Sequence, residues 1–162
     1  MHIKIKNKKL LFDNYKVKCS IGKRGICKNK KEGDNTTPKG TFKFISLYYR
    51  KDRVKKIKTK IKKKIIRKNM GWCDDPKSKD YNQLIKFPYD FTAEKLYLKE
   101  SIYDYILVLD YNTKSTKRGM GSAIFLHIAK RNYKSTRGCI AISKRHMKIL
   151  LDKINKNTKI II

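Results

Sequence analysis

The stretch that decides the fold spans residues 122–143 and reads SAIFLHIAKRNYKSTRGCIAIS. It contains two short apolar runs, residues 123–126 and 139–142, which are typical of buried strands. His127 ends the first run and Cys139 opens the second. The polar connection at residues 130–138 would allow the two strands to lie side by side. An imidazole and a thiol would then share one pocket, as a cysteine nucleophile requires.

A glycine directly before the cysteine supports a reactive role for Cys139. Gly138 suits a tight turn and a close approach of substrate. We expect its backbone N–H to face the oxyanion of an acyl-transfer intermediate. From spacing alone the pair is weak evidence, because buried cysteines are common and His127 could be a satisfied residue at the end of a strand.

The block His127…Ser135-Thr136-x-Gly138-Cys139-Ile resembles the catalytic signature of L,D-transpeptidases of the YkuD type. Two further segments resemble one branch of that family: KEGDNTTPKGTF at residues 31–42, and GWCDDP at residues 71–76 with Tyr-Asn at 81–82. The blocks follow the family's order over residues 17–151. The Gly-Cys block is the specific one, whereas the Gly-Asp-x-x-Thr-Pro-x-Gly block alone would be only a turn signal.

The resemblance implies a peptidoglycan L,D-transpeptidase that needs no metal or organic cofactor. Cys139 would attack the carbonyl of the third stem residue, a diaminopimelate, and release D-alanine. The acyl group would pass to a diaminopimelate amine on a second stem, giving a 3-to-3 cross-link. His127 would hold the thiol deprotonated and protonate the leaving amine, and we expect it to lower the pKa of Cys139 as an ion-pair partner. Water as acceptor would instead give an L,D-carboxypeptidase or hydrolase, which the sequence does not distinguish.

Residues around these blocks are the candidates for substrate binding. Many family members carry an arginine soon after the isoleucine that follows the cysteine, whereas Ala141 stands there in this chain. A substrate carboxylate could therefore be recognised by Arg137 or by basic residues outside the motif. The two aspartates of residues 71–76, the tryptophan loop, have an equally weighted alternative role in a turn where they bond their own backbone. The substrate-binding candidates are Ser135, Thr136, Arg137, Trp72, Asp74 and Asp75. The group that orients His127 stays open between a backbone carbonyl and the two aspartates.

The charge of the chain is extreme, with 43 Lys and Arg against 13 Asp and Glu and a net charge of +30. Most of residues 50–69 are basic, and Asp52 is the single acid there. We expect an exposed basic loop or hairpin that is either a solvated face or a docking surface for anionic wall polymer or membrane. A nucleic-acid-binding module would interleave aromatic residues with the basic ones, and this run has none. A non-catalytic wall-binding domain is disfavoured because His127 and Cys139 are both present.

The four cysteines form no Cys-x-x-Cys pair, so no zinc site is expected. Cys19 and Cys27 flank a glycine-containing turn and could form a disulfide in an oxidising compartment, or remain free thiols together with Cys73. No apolar run approaches the ~18 residues of a membrane span. The resemblance implies the periplasm or cell envelope, although no signal peptide is visible in this chain. We expect a monomer.

Short alternating segments predict a mostly β fold in a single domain over residues 1–162. Strands are expected within residues 2–21 and at 41–49, 103–110 and 158–162, with a short helical turn at 87–97. Ser143 can N-cap a helix over residues 144–155. The predicted architecture is a β-sandwich or barrel-like fold with one or two short helices, which agrees with the family resemblance. The apolar stripe of the helix is Met147, Leu150, Leu151 and Ile154.

Overall fold

The computed structural model describes all residues, 1–162, as fourteen strands, one α-helix and two 3₁₀ turns. The strands are β1 (His2–Lys6), β2 (Lys9–Phe12), β3 (Tyr15–Lys18), β4 (Ile26–Cys27), β5 (Thr37–Pro38), β6 (Thr41–Tyr49), β7 (Lys63–Ile65), β8 (Met70–Cys73), β9 (Leu84–Lys86), β10 (Ala93–Lys95), β11 (Tyr105–Leu109), β12 (Phe125–Ile128), β13 (Ile140–Ile142) and β14 (Lys159–Ile161). The helix is α1 (Lys144–Lys153), and the 3₁₀ turns are Ser101–Tyr103 and Arg131–Tyr133.

One nine-stranded sheet forms a nearly closed, barrel-like body. Its order is β13-β12-β11-β6-β14-β1-β2-β3, with β7 paired to β6. The ends of this path meet just after β3, where Ser20 and Ala141 exchange backbone hydrogen bonds of 2.8 and 3.0 Å. Joining the two edges removes most of the unpaired backbone that an open sheet would expose. The prediction of a mostly β, barrel-like fold is therefore confirmed.

Two apolar clusters lie on opposite faces of this sheet. Along β12, Leu126 belongs to the large cluster of 24 buried residues, whereas Phe125 belongs to a second cluster of nine. Adjacent residues of a strand point to opposite faces, which explains the division. The second cluster includes Trp72 of β8 and is covered by a small antiparallel sheet of order β10-β8-β9. This small sheet forms one wall of the candidate site.

Helix α1 closes the large cluster as the sequence predicts. The Ser143 hydroxyl accepts a hydrogen bond from the His146 backbone N–H at 3.2 Å, which caps the first turn. Met147, Leu150 and Leu151 are buried. The helix ends at Lys153 rather than at residue 155. No helix of the structure has the length and apolar character that a membrane crossing needs.

The structure overturns one prediction about the connecting segments and adds detail to another. Residues 87–97 form no helical turn, because Ala93, Glu94 and Lys95 pair with β8 and so become a strand through tertiary contacts. Residues 50–69 are mostly irregular with exposed basic side chains, as predicted, but the segment is anchored to the body. Strand β7 runs parallel to β6, and three apolar residues of the segment are buried in the clusters and hold its backbone on the body. They are Val54, Ile61 and Ile66.

Candidate active site

The parallel pairing of β12 with β13 brings the two predicted catalytic residues to one face of the sheet. His127 stands opposite Ala141, and Leu126 stands opposite Ile140. By continuation of this register, Cys139 lies opposite Phe125, two residues from His127. Side chains two residues apart in a strand share a face, so the imidazole and the thiol both project toward the second cluster.

The strand boundaries differ from the predicted ones because the chain bends before β12. Ala123 has a φ of +50°, a left-handed conformation that a strand residue does not adopt. Strand β12 therefore begins at Phe125, and His127 lies inside it rather than at its end. Cys139 immediately precedes β13 instead of opening it.

The thiol of Cys139 is half-buried and held by two backbone groups. Its Sγ donates to the carbonyl oxygen of Ala123 at 3.0 Å and accepts from the Phe125 N–H at 3.4 Å. The bend that aims the Ala123 carbonyl is fixed from behind, because the Asn82 side-chain oxygen accepts from the Ala123 N–H at 3.0 Å. The same oxygen accepts from Trp72 Nε1 at 2.9 Å. Asn82 thus ties the tryptophan loop to the loop that carries the thiol's partner.

His127 is only 6% exposed and is oriented by a backbone carbonyl. Its Nδ1 lies 2.9 Å from the carbonyl oxygen of Ile128. A carbonyl can only accept, so Nδ1 carries a proton and Nε2 of the neutral ring is the basic nitrogen. The ring packs edge-to-face against Tyr103 at 5.2 Å. Of the three candidates for the orienting group, the structure selects the backbone carbonyl over Asp74 and Asp75.

Both catalytic candidates are neutral in the resting structure. Burial lowers the pKa of His127 to about 4, with the Lys130 charge acting in the same direction. Burial also raises the pKa of the Cys139 thiol well above its usual range, and the Glu94 carboxylate adds to this effect. No hydrogen bond joins the two side chains, since each is bonded to backbone. The predicted thiolate–imidazolium pair with a lowered thiol pKa is therefore wrong, because removal from water disfavours both charged forms.

The backbone before the cysteine accepts only glycine. Gly138 has a φ of +151°, and a Cβ there would stand 2.8 Å from the carbonyl oxygen of Thr36. The Gly138 carbonyl accepts from the Thr37 hydroxyl at 2.8 Å, and that hydroxyl accepts from the Gly22 N–H at 2.8 Å. One side chain thus joins three separate segments of chain beneath the nucleophile.

The Ser-Thr-x-Gly loop is internally bonded. The Gly138 N–H donates to the Thr136 hydroxyl at 3.1 Å, and this hydroxyl donates to the Cys139 carbonyl at 2.5 Å. The Gly138 N–H is thus engaged within the loop, and its role at an oxyanion stays a prediction. Ser135 and Arg137 are exposed beside it. Their exposure close to Cys139 in sequence is compatible with substrate binding, which also stays a prediction.

The tryptophan loop serves the structure in every contact that it makes. Trp72 is buried and lies edge-to-face against Phe125 at 5.2 Å. Asp75 accepts from the Lys77 N–H at 2.9 Å in the turn that the alternative interpretation describes. Asp74 accepts from the Thr92 hydroxyl at 2.7 Å. A substrate role for these residues remains a prediction.

Sequence reasoning missed two charged residues near the thiol. Glu94 of β10 accepts a hydrogen bond from the Tyr103 hydroxyl and raises the pKa of Cys139. Lys30 is 3% exposed, is paired with Asp34 at 2.8 Å, and lowers the same pKa. Neither belongs to a recognisable motif. The strand position of Glu94 opposite Trp72 would have been the signal, but residues 87–97 do not show strand alternation.

The remaining cysteines have no visible part in this chemistry. Cys19, Cys27 and Cys73 are free thiols, so the disulfide alternative is not formed in this structure. Burial raises the pKa of Cys19 to about 11, which makes it a poor nucleophile at neutral pH. No group of three or more His, Cys, Asp or Glu side chains is arranged to hold a metal ion.

A search of the curated proteins and a search of the solved structures returned no match. A family model described as the YkuD L,D-transpeptidase catalytic domain matches residues 2–162. Members of this family are generally enzymes with a cysteine nucleophile and are typically extracellular or periplasmic. Because the match spans the barrel, the covering sheet and the His127–Cys139 face together, the chain belongs to the YkuD family of L,D-transpeptidase catalytic domains.

Proposed function

We propose that this protein is a peptidoglycan L,D-transpeptidase that forms a thioacyl-enzyme on Cys139. The observation that carries the proposal is the shared face of His127 and Cys139, with Nδ1 of the imidazole tied to the Ile128 carbonyl. Nε2 is then the nitrogen left to accept the thiol proton. The substrate would be a stem tetrapeptide of peptidoglycan in the cell envelope, handled by a monomer without metal or organic cofactor.

Because His127 and Cys139 are both neutral at rest, we propose that the thiol proton moves to His127 as the sulfur attacks the substrate carbonyl. As Sγ of Cys139 bonds to the carbonyl carbon of the third stem residue, its proton passes to Nε2 of His127. The tetrahedral intermediate then expels the amine of D-alanine, which takes that proton from Nε2. Sγ leaves its bond to the Ala123 carbonyl in this step, because the thiol hydrogen is the one transferred. Catalytic hydrogen bonds are often long in apo structures and tighten only in the complex with substrate.

The second half of the reaction regenerates the thiol. An amine of a second stem attacks the thioacyl carbon, its proton passes to Nε2, and the sulfur leaves and is reprotonated. The backbone N–H groups of Cys139 and Gly138 are our candidates for stabilising the oxyanion, and one such donor contributes about 3 kcal/mol to the transition state. For Gly138 this requires release from the Thr136 hydroxyl. Water in place of the amine gives the carboxypeptidase reaction.

The test is D-alanine release from a purified stem tetrapeptide, with and without an added stem peptide as acceptor. We expect Cys139→Ala to reduce the rate by about 10³-fold or more. Alanine substitutions of Cys19, Cys27 and Cys73 are the matched controls and should retain the rate. A cross-linked product in the presence of acceptor identifies the transferase, and a tripeptide alone identifies the carboxypeptidase. Full activity of Cys139→Ala would refute the proposal.

A further inference from the structure

A half-buried carboxylate without a cationic partner lies beside the catalytic pair. Glu94 sits on β10 opposite Trp72, and its Oε1 accepts from the Tyr103 hydroxyl. The Tyr103 ring lies edge-to-face against both Phe125, at 6.3 Å, and His127, at 5.2 Å. Glu94 therefore belongs to the same pocket wall as the groups that hold and activate the thiol.

The absence of an ion pair at Glu94 stands out in a chain with 43 basic residues and 13 acidic ones. The structure contains five ion pairs, and Glu94 takes part in none of them. Its Oε2 accepts no hydrogen bond. The fully buried side-chain polar atoms that lack a hydrogen-bond partner are the hydroxyls of Ser20 and Ser122. Oε2 of Glu94 is not among them, so this unpaired oxygen is accessible to solvent. An unpaired carboxylate in a partly buried position is unfavourable, and such groups concentrate at functional sites.

The charges around Glu94 make this pocket acidic on a strongly basic protein. Asp74 and Glu32 add negative charge near Glu94, and Arg137 acts in the opposite direction. Glu32 accepts from the Tyr81 hydroxyl at 2.5 Å, so neither of these acids is neutralised by an ion pair. Arg137 is exposed on the loop before Cys139 and lies beyond ion-pair distance of Glu94. The local field therefore favours a positively charged group of a ligand.

We propose that Glu94 is the ammonium-binding residue of the Cys139 pocket and recognises a primary amine on the substrate. Oε2 would receive the ammonium while Oε1 keeps its bond to Tyr103. The inference rests on the proposed function, because the stem residue whose carbonyl is attacked, a diaminopimelate, carries such an amine. The inference adds that the pocket selects diaminopimelate by this side-chain amine.

Recognition of this kind would also couple substrate binding to activation of the thiol. With the pocket empty, the Glu94 charge opposes the negative charge that develops on Sγ of Cys139. A bound ammonium neutralises that charge, so the thiol loses its proton more easily when the correct substrate is present. A peptide without the amine would bind more weakly and would meet a less reactive sulfur. The carboxylate thus gives selectivity at the chemical step as well as at binding.

The first test needs no substrate and compares alkylation of Cys139 by iodoacetamide at pH 8. The proteins are the wild type, Glu94→Gln, and Glu100→Gln as a control that removes an exposed carboxylate. Glutamine keeps an acceptor oxygen for Tyr103 but removes the charge. We expect Glu94→Gln to react about tenfold faster, since the rate follows the thiolate fraction, and the control to match the wild type. Equal rates for Glu94→Gln and the wild type would overturn the inference.

The second test measures binding without turnover, by calorimetry on Cys139→Ala. Its ligands are the stem tetrapeptide with a free side-chain amine and the same peptide with that amine acetylated. We expect the free amine to bind about tenfold more tightly, and the added Glu94→Gln change to remove the difference. Equal binding of the two peptides, or no binding of either, would overturn the inference. D-alanine release without an amine preference would leave the proposed reaction standing, whereas a Glu94-dependent preference without D-alanine release would refute only the reaction.

Discussion

At the scale of single residues, burial decides how the catalytic pair works. The sequence identified His127 and Cys139 as partners, because their motif and spacing are local features. It could not indicate their protonation, which depends on desolvation and on Glu94, a residue 45 positions before the cysteine. From the sequence, His127 was expected at the end of a buried strand and in an ion pair with Cys139, whereas the structure places His127 inside a buried strand. A neutral pair follows from that placement.

The lowered pKa of His127 predicts a specific loss of stability in mild acid. Unfolded His127 binds a proton below pH 6.5, whereas the folded residue does so only near pH 4. Between these values the unfolded chain holds more protons, so the free energy of unfolding should fall by about 3 kcal/mol as the pH decreases. Urea unfolding at pH 7 and pH 4.5 measures this.

The control for this experiment is His127→Gln, which cannot titrate. Glu94 acts with the opposite sign, since burial raises its pKa and favours the protonated folded form. Because both proteins contain Glu94, the difference between them isolates His127. We expect the wild type to lose more stability than the variant. Parallel loss in the two proteins would show that His127 is not held neutral.

At the scale of elements, local sequence patterns predicted the strands that bury one face. They did not predict the segments whose pairing and hydrogen bonds fix the active site. The pairing of the two runs around residues 122–143 was predicted and is present as β12 and β13. The small sheet over residues 70–95 was not, because its strands are three or four residues long and form only by pairing with one another. The Asn82 and Thr37 bridges were missed for the same reason, since each joins segments far apart in sequence.

The Thr37 hydroxyl gives the sharpest test of these bridges. It connects the Gly22 N–H and the Gly138 carbonyl, so Thr37→Val should leave two buried polar groups without a partner. We expect a loss of about 1–3 kcal/mol in the free energy of unfolding and slower D-alanine release. Thr37→Ser keeps the hydroxyl and should retain most of both. If valine is tolerated as well as serine, the bridge does not position the nucleophile loop.

At the scale of the whole molecule, a barrel-like body carries a basic strap, residues 50–69, on its outside. Arg50 is buried and paired with Asp52 at 2.7 Å, and Arg53 is paired with Asp104 at 3.2 Å, so part of the basic sequence is structural. The exposed lysines of the strap remain free to meet an anionic surface. We propose that they assist docking to anionic wall polymer or membrane without taking part in the chemistry.

This proposal predicts salt-dependent binding to isolated sacculi that depends on the strap. The substitutions to glutamine are at Lys55, Lys58 and Lys60, all of them exposed. The matched control changes Lys4, Lys9 and Lys16, which are exposed on the first strands. Removal of the strap charges should weaken binding most at low ionic strength, where exposed charges are least screened. Equal binding by the two variants would mean that position is irrelevant and that only net charge matters.

The most direct test of the central claim is the intact mass of the protein after exposure to a stem tetrapeptide or a carbapenem. We predict a covalent adduct on Cys139, assigned by peptide mass spectrometry, with a mass equal to the tetrapeptide less D-alanine or to the opened carbapenem. His127→Ala should form it far more slowly, and Cys139→Ala should not form it. An adduct on Cys19, Cys27 or Cys73, or an adduct that survives in Cys139→Ala, would contradict the assignment of Cys139 as the nucleophile.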